Sequence, residues 1–331
     1  MKRLNEITAA EIERLGATDL TVLLRKLLVC EANANNLPPS GVHVAFKITV
    51  PDGGEDGRIE WKDGPERTAW VPNRFTIFQC KATEITALAC KKEVLNDEGT
   101  NLKPKVEAVF QAGGAYILFY GRACEQAGCD ARREKIRKAL RDLGKSYAET
   151  AHIEVYSAEK IAEWTNQYVS CVTFVAERSG MLPPLGIKTW DQWSKLPEHE
   201  GPYVANELLR TCRAQLSAVV VEPGAVARVE GMSGLGKTRL VLEAFRPDEA
   251  GESVRRWSDR LVYLDASIHE RELFAFCVDL CNRQMDGIVI VDNCPLALHK
   301  TLSSEVRRSD SKLRLQSDRR DLRIMTFLRV V

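Results

Sequence analysis

The feature that most constrains this chain is a glycine-rich stretch, Gly231 to Thr238, with the spacing G-x-x-x-x-G-K-T. Residues 225–229 before it alternate apolar side chains and favour a β-strand, and the residues after it repeat apolar side chains at helical spacing. A strand that leads through a glycine turn into a helix directs several backbone N–H groups at one anion. The pattern therefore predicts a phosphate-binding loop, and the alternative is a glycine-rich turn that matches by chance.

The loop assigns a role to each of its polar residues. Lys237 is expected to reach the β- and γ-phosphates of a nucleotide, and the Thr238 hydroxyl is expected to hold Mg²⁺. The predicted nucleotide-binding glycines are Gly231, Gly234 and Gly236. We expect ATP, although the sequence does not separate ATP from GTP.

A strand that ends in a carboxylate follows further along the chain. Residues 287–292 are a glycine and four apolar residues that end in Asp292. A buried strand that delivers an aspartate to its carboxyl end is where the second Mg²⁺ contact of a P-loop NTPase belongs. The alternative is a buried strand whose aspartate only caps the next helix.

Whole-chain composition sets the broad class. With 331 residues the chain is long enough for two domains. Lys and Arg number 47 against 46 Asp and Glu, so the net charge indicates neither a nucleic-acid nor a membrane partner. No apolar run reaches the roughly 18 residues of a membrane span, and the first residues lack the apolar core of a signal peptide. The ten cysteines form no C-x-x-C pair, which indicates reduced thiols in a cytoplasmic protein. No structural zinc is expected, since the chain has five histidines and none lies beside a cysteine pair.

The first long helix carries a carboxylate on its apolar stripe. Asp19 can cap a helix whose leucines at positions 20, 23, 24, 27 and 28 form one face. The same spacing next reaches Glu31. A buried carboxylate is costly unless it has a partner, so Glu31 is either a site residue or a solvated residue at a frayed helix end.

Three strands are predicted next. Residues 42–50 alternate apolar and polar side chains, an acidic turn follows, and residues 58–61 form a short second strand. In the third strand, residues 75–82, Gln79 and Lys81 share a face with two apolar residues because side chains alternate along a strand. An apolar strand that ends in Gln and Lys on one face suits a strand whose end opens onto a functional site.

Asp56 and Glu60 on the preceding hairpin complete a set of groups that suits phosphodiester cleavage. A carboxylate binds a hard divalent ion through oxygen, and a lysine beside it can orient water and offset negative charge. The sequence offers two acids for the metal, and the choice between Asp56 and Glu60 stays open here. The alternative is a plain α/β fold with a surface lysine.

Residues 19–175 resemble the PD-(D/E)xK restriction-endonuclease-like superfamily, specifically its Mrr-type branch with Q-x-K in place of E-x-K. The resemblance implies that Asp56 or Glu60 is the acidic metal ligand, Gln79 the second polar position and Lys81 the catalytic lysine. It also implies that Glu31 is the carboxylate such nucleases often place on their first helix. The chain departs from the branch at Glu60, where an aspartate is usual.

The rest of the first part indicates a compact α/β domain. Residues 115–120 form a continuous apolar run that is typical of a strand covered on both faces. Residues 130–143 form a helix whose outer side carries arginines and lysines, which face either a DNA backbone or only water. Residues 182–202 contain two proline-rich breaks around Trp190 and Trp193. The sequence therefore predicts a domain at 1–181, a linker at 182–202 and a second domain at 203–331.

The second domain resembles the STAND class of P-loop NTPases. With a nuclease-like domain in front, the order looks like the Avs-type antiviral STAND proteins of bacteria. That resemblance implies a phage-protein trigger, homo-oligomer assembly and cleavage of double-stranded DNA. Asn293 stands where many relatives place the acid that polarises the attacking water, so slow hydrolysis is expected.

The carboxyl end of the chain also departs from that class. The chain stops 39 residues past Asp292, where relatives continue through a further core strand, a winged-helix region and helical repeats. Residues 316–331 are expected to be a frayed, truncated or frame-shifted end, with a deliberately basic tail as the alternative.

The sequence thus predicts an α/β protein with a restriction-endonuclease-like domain and an incomplete, parallel-sheet P-loop NTPase domain. The predicted function is nucleotide-gated, Mg²⁺-dependent DNA cleavage in antiviral defence. A non-catalytic P-loop scaffold whose first domain binds DNA or protein is the competing hypothesis, and a truncated, inactive relative is a third.

Overall fold

The computed structural model describes residues 6–44, 54–180, 186–204, 206–219, 224–232, 234–246, 257–268, 270–313 and 322–327, the last of these and residues 309–313 as backbone only. The chain divides into two compact units, one of Ile7–Thr165 and one of Asn166–Val331 together with Met1–Glu6. Both units combine helices with a five-stranded sheet, so the predicted α/β class is confirmed. In the part of the chain that the structure describes, no helix is long and apolar enough to span a bilayer.

The first unit begins with helices and builds its sheet in chain order, β1-β2-β3-β4-β5. Its elements are α1 (Ala9–Glu13), α2 (Ala17–Ala34), β1 (Val42–Val44), β2 (Gly57–Glu60), β3 (Phe75–Lys81), α3 (Lys91–Val94), α4 (Pro104–Gln111), β4 (Ala115–Tyr120), α5 (Gln126–Asp142), β5 (His152–Tyr156) and α6 (Ala158–Thr165). The first three strands pair antiparallel and the last three pair parallel, so the sheet is mixed. The predicted strand at 42–50 is observed as β1, and residues 45–53 lie outside the described part.

The two faces of this sheet bury different helices. Ile77 shares its face with Gln79 and Lys81, and it packs in an apolar cluster with residues of α4 and α5. Phe78 on the other face lies edge-on to Phe119, with the two ring centroids 6.4 Å apart. The alternation of β3 therefore separates the polar residues Gln79 and Lys81 from this aromatic face.

Helix α2 covers the aromatic face. Gly57 pairs with Phe78 across β2 and β3, so a side chain at position 57 would point to the face of Phe78. A Cβ atom built there would come within 3.1 Å of a Leu24 methyl group of α2. This contact places α2 on the side of the sheet opposite Gln79.

The second unit has the strand order β6-β8-β9-β10-β7. Its elements are α7 (Val169–Arg178), β6 (Lys188–Thr189), α8 (Trp190–Trp193), α9 (Glu207–Val219), β7 (Val226–Val229), α10 (Lys237–Ala244), β8 (Leu261–Asp265), α11 (Glu270–Asn282), β9 (Gly287–Asp292), α12 (Leu296–Leu313) and β10 (Leu322–Phe327). The four strands from β7 to β10 are parallel to one another, and β6 pairs antiparallel with β8 at one edge. The carboxyl ends of the parallel strands consequently meet at one edge of the sheet.

The carboxyl-terminal segment differs from its sequence prediction. Leu322–Phe327 forms β10, which pairs with β9 on one side and β7 on the other. The prediction of a frayed end without a further core strand is therefore wrong for these residues. The rest of the segment, 316–321 and 328–331, lies outside the described part.

The units divide at Thr165, earlier than the predicted linker at 182–202. The N–H group of Val169 in α7 donates to the carbonyl of Asp286 beside β9, at 3.2 Å. A Cβ atom at Gly287 would meet the Val169 side chain at 2.4 Å, so α7 packs directly on the second sheet. Trp193 stacks on Tyr263 of β8, with centroids 4.5 Å apart, and it too belongs to the second core. Residues 182–185 lie outside the described part.

Candidate functional site

The glycine-rich loop joins β7 to α10 and leaves backbone donors open. Gly234 and Gly236 have φ angles of +81° and +77°, a region that L side chains rarely adopt. Helix α10 begins directly after Gly236. Within the described residues, no group accepts a hydrogen bond from the N–H groups of residues 234–236. Unpaired N–H groups at a helix N-terminus are a ready-made anion site. Ser233 lies outside the described part.

Lys237 is held inside the loop by backbone carbonyl groups. Its ammonium group donates to the carbonyl oxygens of Gly231 at 2.7 Å and Met232 at 2.8 Å. These contacts fold the long side chain back across the loop that precedes it. The ammonium group of Lys237 therefore lies against the backbone of the glycine-rich loop.

Thr238 and Asp292 lie in direct contact although they are far apart in sequence. The Thr238 hydroxyl donates to Oδ2 of Asp292 at 2.8 Å. The hydroxyl of Tyr263 donates to the same oxygen at 3.1 Å. Burial, followed by the charges of Asp292 and Asp265, raises the pKa of Tyr263, so the phenol keeps its proton. The structure thus brings together the two groups that the sequence predicts for Mg²⁺.

A second carboxylate at this edge is absent from the sequence prediction. Asp265 ends β8 directly opposite Asp292, and the side chain of Asn293 donates to its Oδ1 at 3.0 Å. Burial would raise the pKa of Asp265, but hydrogen bonds from Asn293 and Ser267 outweigh it, and the pKa lies below its ordinary value. The sequence nevertheless contained a signal for Asp265, because two neighbouring parallel strands both end in aspartate.

Asp56 and Gln79 also lie in contact, in the first unit. Oδ2 of Asp56 accepts hydrogen bonds from Nε2 of Gln79 at 2.5 Å and from the N–H of Cys80 at 2.7 Å. The N–H of Asp56 donates to the carbonyl of Phe78 at 2.9 Å, which extends the pairing of β2 and β3 by one residue. Gln79 is 6% exposed, and its Oε1 is buried with no hydrogen-bond partner among the described residues.

Lys81 lies two residues beyond Gln79 on the same face. Its ammonium group is 2.7 Å from Oε2 of Glu93, and the two side chains are 28% and 13% exposed. Glu93 belongs to α3, a helix of four residues. Such a short helix has no hydrophobic period, so the sequence contained no signal for this partner.

The structure does not bring Glu60 to these residues. Glu60 is exposed at the far end of β2, where it pairs with Phe75. Phe75 is four residues from Gln79 along β3, or roughly 14 Å at about 3.4 Å per residue. Of the two acids left open by the sequence, Asp56 is therefore the one that lies beside Gln79.

Glu31 is also apart from this group. It is 2% exposed, and the amide of Asn35 donates to its carboxylate at 3.3 Å. Helix α2 continues to Ala34, so the frayed-end alternative is wrong. Because α2 packs on the face of Phe78, Glu31 and Gln79 lie on opposite sides of the sheet.

The donor sets fit Mg²⁺ to different degrees. The described residues contain no group of three or more His, Cys, Asp or Glu side chains that could hold a metal ion. Mg²⁺ usually keeps several waters and binds through one or two carboxylates together with substrate phosphates. Thr238 with Asp292 fits that pattern beside the glycine-rich loop. Asp56 fits it with the buried, unpaired Oε1 of Gln79 as a second oxygen.

The basic face predicted on residues 130–143 is largely neutralised. Arg133, Lys138 and Arg141 of α5 each lie within 3.1 Å of a carboxylate. Arg132 turns inward, where it donates to the hydroxyl of Tyr120 at 3.2 Å and to the carbonyl of Ile85 at 2.8 Å. These pairs favour the solvated-helix interpretation over a dedicated DNA-binding face.

Comparisons with protein-family models, with curated proteins and with solved structures each gave no match for this chain.

Proposed function

We propose that the second unit is a P-loop nucleotide switch that binds Mg²⁺ and ATP, and that it controls a Mg²⁺-dependent DNA endonuclease in the first unit. The observation that carries the proposal is the 2.8 Å hydrogen bond between Thr238 and Asp292. A hydroxyl at the start of a helix, a carboxylate at the end of a parallel strand and a glycine turn with open N–H groups together suit a metal-bound triphosphate.

Each residue of the loop has a distinct task in this proposal. The open N–H groups of residues 234–236 would bind phosphate oxygens, and Lys237 would exchange its carbonyl acceptors for them. Thr238 and Asp292 would hold Mg²⁺, which would offset the charge of the phosphates. Tyr263 orients Asp292 by its hydrogen bond, and Trp193 fixes the phenol ring by stacking.

The endonuclease part is supported by the group of Asp56, Gln79 and Lys81. Asp56 and Oε1 of Gln79 would hold Mg²⁺, which would polarise the scissile phosphate. A half-turn of the Gln79 amide would direct Oε1 to the side where Nε2 now meets Asp56. Lys81 would leave Glu93 for a phosphate oxygen, since both partners are anions.

The biological part of the proposal comes from the STAND resemblance. This part comprises antiviral defence, a phage-protein trigger, homo-oligomer assembly and double-stranded DNA as the substrate. The restriction-endonuclease-like and P-loop NTPase folds are likewise proposals, supported by the mixed sheet of the first unit and the parallel strands of the second.

The test combines purified chain, Mg²⁺ and plasmid DNA, with and without ATP. Lys81→Ala is expected to abolish nicking and to leave ATP binding intact, while Lys92→Ala, an exposed lysine on α3, is expected to change neither. Lys237→Ala is expected to weaken ATP binding, with exposed Lys300→Ala as its control. Normal ATP binding by Lys237→Ala would contradict the proposed nucleotide site, and normal nicking by Lys81→Ala would contradict the proposed nuclease site.

A non-catalytic scaffold remains the second candidate. The ion pair of Lys81 with Glu93 favours it, because the lysine already has a partner and Asp56 is the one carboxylate hydrogen-bonded to Gln79. Retention of DNA without cleavage, unchanged by removal of Mg²⁺, would select this function over the nuclease.

A further inference from the structure

The phosphate loop has its Mg²⁺-binding groups but no acid directly after Asp292. Asn293 occupies that position, and an amide cannot take a proton from an attacking water. Asn293 has a φ of +49°, and its N–H donates to Oδ1 of Asp292 at 2.8 Å. Its side chain is thereby turned toward the neighbouring strand, where Nδ2 reaches Asp265 at 3.0 Å.

Asp265 presents one anchored oxygen and one open oxygen. Oδ1 accepts three hydrogen bonds: from Nδ2 of Asn293 at 3.0 Å, from the N–H of Ser267 at 2.9 Å and from the Ser267 hydroxyl at 2.7 Å. Oδ2 of Asp265 accepts none from the residues that the structure describes. Three donors on one oxygen fix the orientation of the carboxylate and leave the other oxygen available.

The location of Asp265 suits a reaction at the phosphate loop. It pairs with Asp292 across β8 and β9, so one strand spacing of about 4.8 Å separates their backbones. Ligands of open α/β sheets bind outside the carboxyl ends of the parallel strands, which is where both carboxylates lie. The side chain is half-buried and therefore open to a water molecule.

We infer that Asp265 is the general base of nucleotide hydrolysis in this chain. Its Oδ2 accepts a proton from a water whose oxygen forms a bond to the γ-phosphorus of the triphosphate. The bond from the γ-phosphorus to the bridging oxygen breaks, and that oxygen leaves with the electron pair on the nucleoside diphosphate. The inference rests on the proposed nucleotide site, and it replaces the acid that is missing at Asn293.

A simpler role for Asp265 is to cap the turn after β8. That role uses Oδ1 alone, because both bonds from Ser267 end there. Asparagine keeps an acceptor oxygen at this position and forms the same kind of turn, yet it cannot accept a proton. Asp265→Asn therefore separates the catalytic role from the structural one.

The experiment measures phosphate release from ATP by the full chain in Mg²⁺, together with the affinity for a fluorescent ATP analogue. Asp265→Asn is expected to lower kcat by about 10²–10⁴-fold, the usual contribution of a general base, with the analogue affinity within about threefold of wild type. Asp279→Asn, which removes a carboxylate of α11 paired with Arg283, is the matched control and is expected to leave kcat unchanged. If Asp265→Asn does not fold, Asp265→Ser takes its place, since a serine hydroxyl also caps a turn.

The outcomes separate this inference from the proposed function. A fall in kcat of less than tenfold in Asp265→Asn overturns the inference, and so does a wild-type chain that binds ATP without turning it over. A wild-type chain that does not bind ATP overturns the proposed nucleotide site itself. Loss of turnover with retained affinity supports Asp265 as the base.

Discussion

Gly236→Ala tests the proposed phosphate loop through its backbone alone. Gly236 has a φ of +77°, and a Cβ atom there would meet nothing within 4 Å, so the substitution introduces strain without a clash. An L residue in the left-handed region costs about 1–2 kcal/mol. Because nothing in the described structure holds the N–H groups of residues 234–236, we expect the alanine to relax the loop away from that conformation.

Binding would then have to restore the left-handed conformation. At 1.4 kcal/mol per factor of ten, a cost of about 1–2 kcal/mol weakens nucleotide affinity by roughly 5- to 30-fold. The melting temperature is expected to change little, because the relaxed loop stores no strain. Titration with a fluorescent ATP analogue and a thermal denaturation curve measure the two effects separately.

Gly180→Ala is the matched control in the same unit. Gly180 has the same φ of +77° and the same open surroundings, but it follows α7, where its N–H donates to the carbonyl of Glu177 at 3.1 Å. Here the strain cannot relax without loss of that bond. We expect a lower melting temperature, by about 2–4 °C per kcal/mol of strain, with unchanged nucleotide affinity. Equal affinities for Gly236→Ala and wild type, or a similar loss in Gly180→Ala, would refute the assignment of the loop.

Two further predictions concern the first unit. Glu93→Gln releases Lys81 from its ion pair. A pair that still reaches solvent contributes about 0.5–1 kcal/mol, so plasmid nicking is expected to rise about two- to fivefold. Slower nicking would mean that Glu93 positions the lysine and does not compete for it. Hydrogen bonds from His152 and Lys160 lower the pKa of Glu154 from 4.5 to about 2 against the opposing effect of burial. A carboxyl group whose pKa is lower in the folded than in the unfolded protein stabilises the fold at pH values above the unfolded-state pKa. The stability difference between wild type and Glu154→Gln should therefore shrink as the pH falls from about 4.5 toward 2. A difference in melting temperature that stays constant over this range would contradict it.

Local patterns predicted the parts of the proposed nucleotide site whose geometry depends on neighbouring residues. The strand, glycine turn and helix around Lys237 lie within one short segment, so spacing alone specified them. The contact of Thr238 with Asp292 was also predictable, because the carboxyl ends of parallel strands converge at one edge. Asp265 follows from the same rule, and the sequence carried its signal at the end of β8.

The remaining differences come from long-range packing. Whether Glu31 lies beside Gln79 depends on which face of the sheet α2 covers, and the helical period of α2 contains no such information. Helix α7 buries most of its residues, but its own sequence does not specify which sheet it packs against. Insertion of β10 between β7 and β9 is a non-local pairing that no short window of residues encodes.

The two proposed sites differ in what a ligand must displace. Lys237 is bound to two neutral carbonyl oxygens, and a triphosphate offers it charged oxygens in their place, so exchange is favourable without any other change. Lys81 is paired at 2.7 Å with the carboxylate of Glu93, which is mostly buried. A DNA phosphate carries a similar charge, so exchanging the carboxylate for the phosphate gives little gain in free energy. Nucleotide binding is therefore expected to need no activation of its site, whereas cleavage is expected to depend on whatever separates Lys81 from Glu93. If nucleotide gating operates in this chain, the nicking rate of Glu93→Gln should lose most of its dependence on ATP.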